Sequence, residues 1–136
     1  MTEGVVAVRP DASLVEAAQL MRAQGTADVL VTDGGQLVGV LTDRDITVRA
    51  VADGADPLTV SADAVCTPRP VTVGPDEAVS AAATLMRAHA VRRLPVVQDG
   101  RALGTVSLGD LGAPTGPVHD SSRGSPGPQA DAGPAG

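Results

Sequence analysis

Residues 39–46 read "GVLTDRDI", and residues 104–111, 65 positions later, read "GTVSLGDL". The shared pattern is Gly-x-x-(Thr/Ser)-x-x-Asp-(Ile/Leu). The same shift lays "VRPDASLVEAAQLMRAQGTADVLVTDGGQLVGVLTDRDI" (8–46) over "VGPDEAVSAAATLMRAHAVRRLPVVQDGRALGTVSLGDL" (73–111) without a gap, with 13 of 39 positions identical. Pro10/Pro75, Asp11/Asp76, the block Leu20-Met21-Arg22-Ala23 over Leu85-Met86-Arg87-Ala88, Gly39/Gly104 and Asp45/Asp110 are among them. An Ala- and Val-rich chain produces scattered matches by chance, but it does not hold one register throughout. The chain is a duplicated unit.

Each copy parses alike. Val5–Val8 and Val71–Val73 read as short strands that end at Pro10 and Pro75. Ser13-x-x-Glu16 fits a capping box, and Leu14, Ala17, Ala18 and Met21 follow on one helical face. Val79, Ala82, Ala83 and Met86 repeat that face, and Gly25 supplies a helix-closing glycine. The apolar runs 28–32 and 37–42 flank "DGGQ", and 94–97 and 102–107 flank "QDGR", both hairpin signals. A second helix is expected from Asp43 to about Asp53, closed by Gly54. The fold class is α/β (α+β): two β-α-β-β-α repeats related by a pseudo-twofold and forming one module. The expected boundaries are 1–57 for the first repeat and 58–111 for the second. Residues 112–136, with 11 Gly or Pro among 25, are expected to be a disordered Gly/Pro/Ala-rich tail.

The 136 residues contain no Phe, Tyr or Trp, so the core must come from Val, Leu, Ala and Met. A formal charge of −6 argues against the broad basic footprint of a nucleic-acid binder. A single cysteine, Cys66, cannot form an internal disulfide. The start "MTEGVVAVRPD" has no basic, apolar leader pattern, and no run approaches the roughly 20 apolar residues of a membrane span. A cytoplasmic protein is expected, with no membrane and no nucleic-acid partner.

The recurring motif sits where a strand ends and a helix begins. A strand glycine permits close approach of a backbone or ligand. A hydroxyl and free N–H groups at a helix start can hold phosphate, and a carboxylate three residues on can accept from a diol. Thr42 or Asp43 could instead serve only as an N-cap, with Asp45 favoured by the helix dipole. Recurrence with the glycine retained favours the ligand reading.

The duplicated unit, "RRLPVV" (92–97) and "GVLTDRDI" together resemble a tandem pair of CBS (cystathionine β-synthase) domains, a Bateman module, over residues 1–111. The stretch "LTDRDITVRAVADGADPLTVSA" is further similar to small stand-alone CBS pairs of the hypoxic response protein 1 type. The resemblance implies two clefts between the repeats that bind adenosine-containing ligands: AMP, ADP or ATP, with NAD and S-adenosylmethionine as alternatives. It also implies a homodimer and an unidentified effector protein. Carried over, Thr42 and Ser107 would contact phosphate or ribose oxygens, and Asp45 and Asp110 the ribose hydroxyls. Gly39 and Gly104 would allow close approach, while Val6, Val71, Leu94 and Pro95 would line the adenine pockets. Arg44, Arg92 and Arg93 would face phosphate. Leu30 stands where the family usually has proline. Leu108-Gly109 replaces Asp43-Arg44, and Gly112, Pro114 and Pro117 should cut the last helix short.

No catalytic set is expected. The two histidines, His89 and His119, are isolated in sequence, and there is no P-loop, Ser-His-Asp or metal-ligand pattern. The expectation is a non-catalytic sensor with no required cofactor and no metal. The alternative is a structural CBS pair that dimerises or docks on a partner without a nucleotide.

Overall fold

The first copy begins its sheet with a two-residue strand, β2 (Ala7–Val8), because the chain turns away at Pro10; β1 (Thr2–Glu3) precedes it. A computed structural model describes residues 2–3 and 5–107. The expected tail (112–136), Asp110 and the expected final helix lie outside the described residues. Helix α1 (Leu14–Gln24) follows, then the hairpin β3 (Asp28–Asp33) and β4 (Gln36–Thr42). Helix α2 (Asp43–Asp45) runs straight into a π-helical stretch, Ile46–Val51. Helix α3 (Ala62–Val65) and β5 (Thr67–Pro68) complete a compact body over Val6–Pro70. A second body contains α4 (Val79–Ala88), β6 (Arg93–Gln98) and β7 (Arg101–Ser107), with β1 joined to it.

The 65-residue shift reappears in the strand register. Strand β2 pairs parallel to β3 through Val8↔Val31, and Val73 bridges in parallel to Val96. Both hairpins turn on two residues at positive φ, Gly34-Gly35 (60° and 90°) and Asp99-Gly100 (54° and 81°), as tight primed turns require. Both also slip by one residue at the same point, after Val31↔Gly39 and after Val96↔Gly104. Strand β5 pairs antiparallel with β4 (Gly39↔Pro68, Val40↔Thr67), and β1 pairs with β7 in the equivalent register (Glu3↔Gly104, Thr2↔Thr105). The strand that leads into one copy is therefore built into the sheet of the other.

Each body packs its helix face on its hairpin. Val8, Leu14, Ala17, Met21, Val29, Val31 and Leu41 form one core; Val73, Val79, Ala82, Met86, Leu94, Val96 and Val106 form the other, position for position. Three expectations need adjustment. Ala18, at the rim of its helix face, is exposed, whereas its counterpart Ala83 is buried. The strands expected at Val5–Val8 and Val71–Val73 shrink to Ala7–Val8 and to one bridge at Val73. Of the capping box only the Ser13 half forms, its Oγ accepting from Glu16 N–H at 3.0 Å. The start of α1 is held instead by Leu14 N–H to Val60 O and Ala62 N–H to Ala12 O.

Helix α1 ends as expected on Gly25 at φ 64°, with Thr26 N–H donating to Met21 O. The second copy repeats that closure with Val91 N–H to Met86 O, yet its left-handed residue is Ala90 at φ 55°. A Cβ in that conformation costs about 1 kcal/mol. Ala90→Gly is thus expected to stabilise the protein, raising Tm by roughly 4 °C or more in a thermal melt. An unchanged or lower Tm would contradict this account of the helix end.

Candidate functional site

Thr42 ends β4 and caps α2 with a complete capping box. Its Oγ1 accepts from Asp45 N–H at 3.0 Å, while Asp45 Oδ2 accepts from Thr42 N–H at 3.0 Å. Asp45 is 8% exposed, the one buried charged side chain among the described residues. Its Oδ1 lies 3.8 Å from Arg49 Nε, one helical turn on. Arg49 in turn donates through Nη1 to Val65 O at 3.0 Å and Cys66 O at 3.2 Å. The motif aspartate thus ties the strand end, through arginine, to the segment that leads into β5. The π-helical stretch shows an i−5 bond, Ala52 N–H reaching Thr47 O, and the helix closes at Gly54 (φ 72°) with Ala55 N–H donating to Ala50 O, as α1 closes at Gly25. The second helix covers the expected span but is largely π-wound.

Gly39 is buried in β4, and the space beside its Cα is occupied. A Cβ there would lie 2.6 Å from Thr67 O and 2.8 Å from Cys66 Sγ. This strand glycine is required by the close approach of β5. Cys66 is buried, and burial, followed by the nearby Asp63 and Asp45 carboxylates, pushes its thiol pKa above the ordinary value.

The remaining residues fall at the same end of each hairpin. Val6 is half-buried before β2 and accepts from Leu30 N–H; Arg44 is exposed in the first turn of α2. Asp28 pairs across the sheet with Thr42, and Asp43 N–H donates to Ala27 O. In the second body Arg93 pairs with Ser107 in the same register, with Arg92 exposed beside it. Leu94 and Pro95 are buried in β6, Gly104 is buried in β7, and Val71 is half-buried ahead of the Val73 bridge. In each body the strand-end hydroxyl therefore has one cross-strand neighbour, Asp28 for Thr42 and Arg93 for Ser107, whereas Leu94 lies in the helix-facing core, on the opposite face of β6 from Pro95. Asp28 and Arg49 were not among the sequence candidates. The Asp45–Arg49 spacing of four and the hairpin register were the signals that could have found them. Among the described residues no three His, Cys, Asp or Glu side chains cluster to hold a metal, and no helix is long and apolar enough to cross a membrane.

Two register-matched copies, each ending the second strand of its hairpin in a hydroxyl, Thr42 and Ser107, make up a duplicated module. The CBS domain model matches residues 1–51 and again 56–111, and the chain belongs to the CBS-domain family as a tandem pair. It is similar to the CBS domain-containing protein YhcV of Bacillus subtilis (39% identical over 111 residues, 82% of this chain and 79% of that protein). Hypoxic response protein 1 of Mycobacterium tuberculosis is 33% identical over 82% of this chain and 78% of its own length. A crystal structure of Hypoxic Response Protein I with two coordinated zinc ions superposes with a TM-score of 0.76 over 82% of this chain and 91% of that one. The CBS domain protein PAE2072 from Pyrobaculum aerophilum, complexed with AMP, is 29% identical with a TM-score of 0.73, over 83% and 87% of the two chains. The chain is a CBS-pair regulatory module.

Proposed function

We propose that this protein is a cytoplasmic, non-catalytic sensor of an adenosine-containing ligand, AMP, ADP or ATP first, with NAD and S-adenosylmethionine as alternatives. The supporting observation is the repeated hairpin end, where Thr42 and Ser107 occupy equivalent positions, with Pro95 on the same face of its hairpin as Ser107. The AMP carried by PAE2072 supports the same ligand class. Ribose would be held by the motif aspartates and phosphate by arginine, whose planar fork matches phosphate oxygens. Binding would reach an effector protein through its differential affinity for two conformations of the module.

A thermal-shift screen with these five ligands tests the proposal. A ligand at about 100 times its Kd adds about 2.7 kcal/mol. For a domain of this size that is a Tm rise on the order of 10 °C. No rise with any of them would favour a second reading, a structural pair that homodimerises or docks on a partner. Val48, Val51 and Leu58 support that reading, because they are large apolar side chains left exposed, Leu58 at 69%.

A further inference from the structure

We propose that Asp45 and Arg49 form a latch: a ribose hydroxyl donating to Asp45 competes with Arg49 and so releases the segment Val65–Pro68, through which the chain leads into the second copy. This latch rests on the sensor reading and supplies the step by which occupation of the first copy reaches the chain beyond it.

The two oxygens of the buried Asp45 are engaged differently. Oδ2 accepts from Thr42 N–H at 3.0 Å, whereas Oδ1 faces Arg49 Nε at 3.8 Å, an attraction between charges too long to be a hydrogen bond. A hydroxyl that reaches Oδ1 therefore gains a short, charge-assisted bond where this arginine makes none. The hydrogen bonds of Arg49 lie elsewhere, Nη1 donating to Val65 O at 3.0 Å and to Cys66 O at 3.2 Å. The Asp45 charge orients the guanidinium toward those carbonyls. With 49% of its side chain exposed, Arg49 can exchange them for water once a hydroxyl shares that charge.

The segment that Arg49 holds is short and strained. Strand β5 has two residues, paired to β4 as Gly39↔Pro68 and Val40↔Thr67. Arg69 follows at φ 48°, a left-handed conformation that strains a residue carrying a Cβ. Lifting β5 lets Arg69 return to an ordinary backbone angle. Strain thus favours the released segment, while the Arg49 bonds and the two strand pairs favour the held one. An element with two opposed terms has two arrangements, and a ligand shifts it by preferring one of them. The device belongs to the first copy, because 65 residues beyond Arg49 the chain has Pro114.

Hydrogen exchange and isothermal titration of the full chain with AMP test the latch; the other four ligands are run in the same way if AMP does not bind. In the parent protein, saturating ligand is expected to speed exchange at the Cys66 and Thr67 amides at least threefold, while exchange in α1 slows or stays the same. Arg49→Met should speed those two amides about tenfold without ligand, and ligand should then change them little. Coupling is reciprocal, so Arg49→Met should also tighten binding about three- to fivefold, the upper end of what such an ion pair is worth. Arg49→Lys keeps the charge and should bind within twofold of the parent. An arginine that only supports the fold predicts weaker or unchanged binding instead. Unchanged or slower exchange at Cys66 and Thr67 in the liganded parent, or weaker or unchanged binding in Arg49→Met, would overturn the latch and leave the sensor reading intact. The parent arm needs no variant and decides the matter where Arg49→Met does not fold. Absence of binding by all five ligands would overturn the two together.

Discussion

Gly39→Ala is expected to destabilise the protein by about 2–3 kcal/mol without any ligand present, the larger end of what forced overpacking costs. The added methyl would meet the Thr67 carbonyl at 2.6 Å and Cys66 Sγ at 2.8 Å. The nearer obstacle is backbone, so it cannot rotate away. Relief requires β5 to lift from β4, which disturbs the Gly39↔Pro68 and Val40↔Thr67 pairs. Removing the sulfur with Cys66→Ala in the same chain should recover less than half of the loss, because the carbonyl remains. A melt of the single and double variants checks both statements, with Tm falling on the order of 10 °C or more in Gly39→Ala. A Tm within 2 °C of the parent protein would remove the packing explanation for this glycine, and full recovery in the double variant would place the obstacle at Cys66 alone.

Asp45→Ala is expected to cost about 2 kcal/mol, again without ligand, by removing half of the capping box and leaving Arg49 without its carboxylate. Asp45→Asn separates the causes. An amide oxygen can still accept from Thr42 N–H, so Asn should lose less than half as much as Ala, and what it does lose reports the charge facing Arg49. Chemical denaturation of the two variants is the check. Losses below about 0.5 kcal/mol in both would mean that the buried aspartate is not a joint. Its burial would then be better explained by the ligand role alone.

These two positions show where sequence reading stopped. The repeat, its register and both hairpins were legible, because Leu20-Met21-Arg22-Ala23 recurs intact and Gly34-Gly35 and Asp99-Gly100 carry turn chemistry of their own. The helix faces were legible for the same local reason, with Ala18 the exception, since periodicity marks a face but not its rim. Strands β1 and β5 were not legible. Two residues cannot show an alternation, and Thr2-Glu3 and Thr67-Pro68 become strands only because β7 and β4 pair with them. Without β5, Gly39 read as room for a ligand; with it, the room is filled. The motif aspartate shows the same limit. Its residue type and spacing suit both a helix cap and a ribose partner, and only the placement of Arg49 and the 65–66 carbonyls shows that in the first copy it is a cap and a tie. The π-winding of Ile46–Val51 has no sequence signature of its own: four of its six residues, Ile46, Thr47, Val48 and Val51, are β-branched, which weakens an α-helix without specifying i−5 bonding.

The family follows from the fold and from the match of both copies to the CBS domain, whereas the ligand rests on the chemistry of the hairpin ends. A ¹⁵N-labelled sample titrated with AMP tests that chemistry most directly, because each backbone amide reports its own surroundings. Saturable shifts are expected at one or both hairpin ends, Thr42–Asp45 and Arg92–Ser107, with ³¹P signals showing the nucleotide unaltered at the end. An absence of saturable shifts up to millimolar AMP, and equally with ADP, ATP, NAD and S-adenosylmethionine, would contradict the sensor reading.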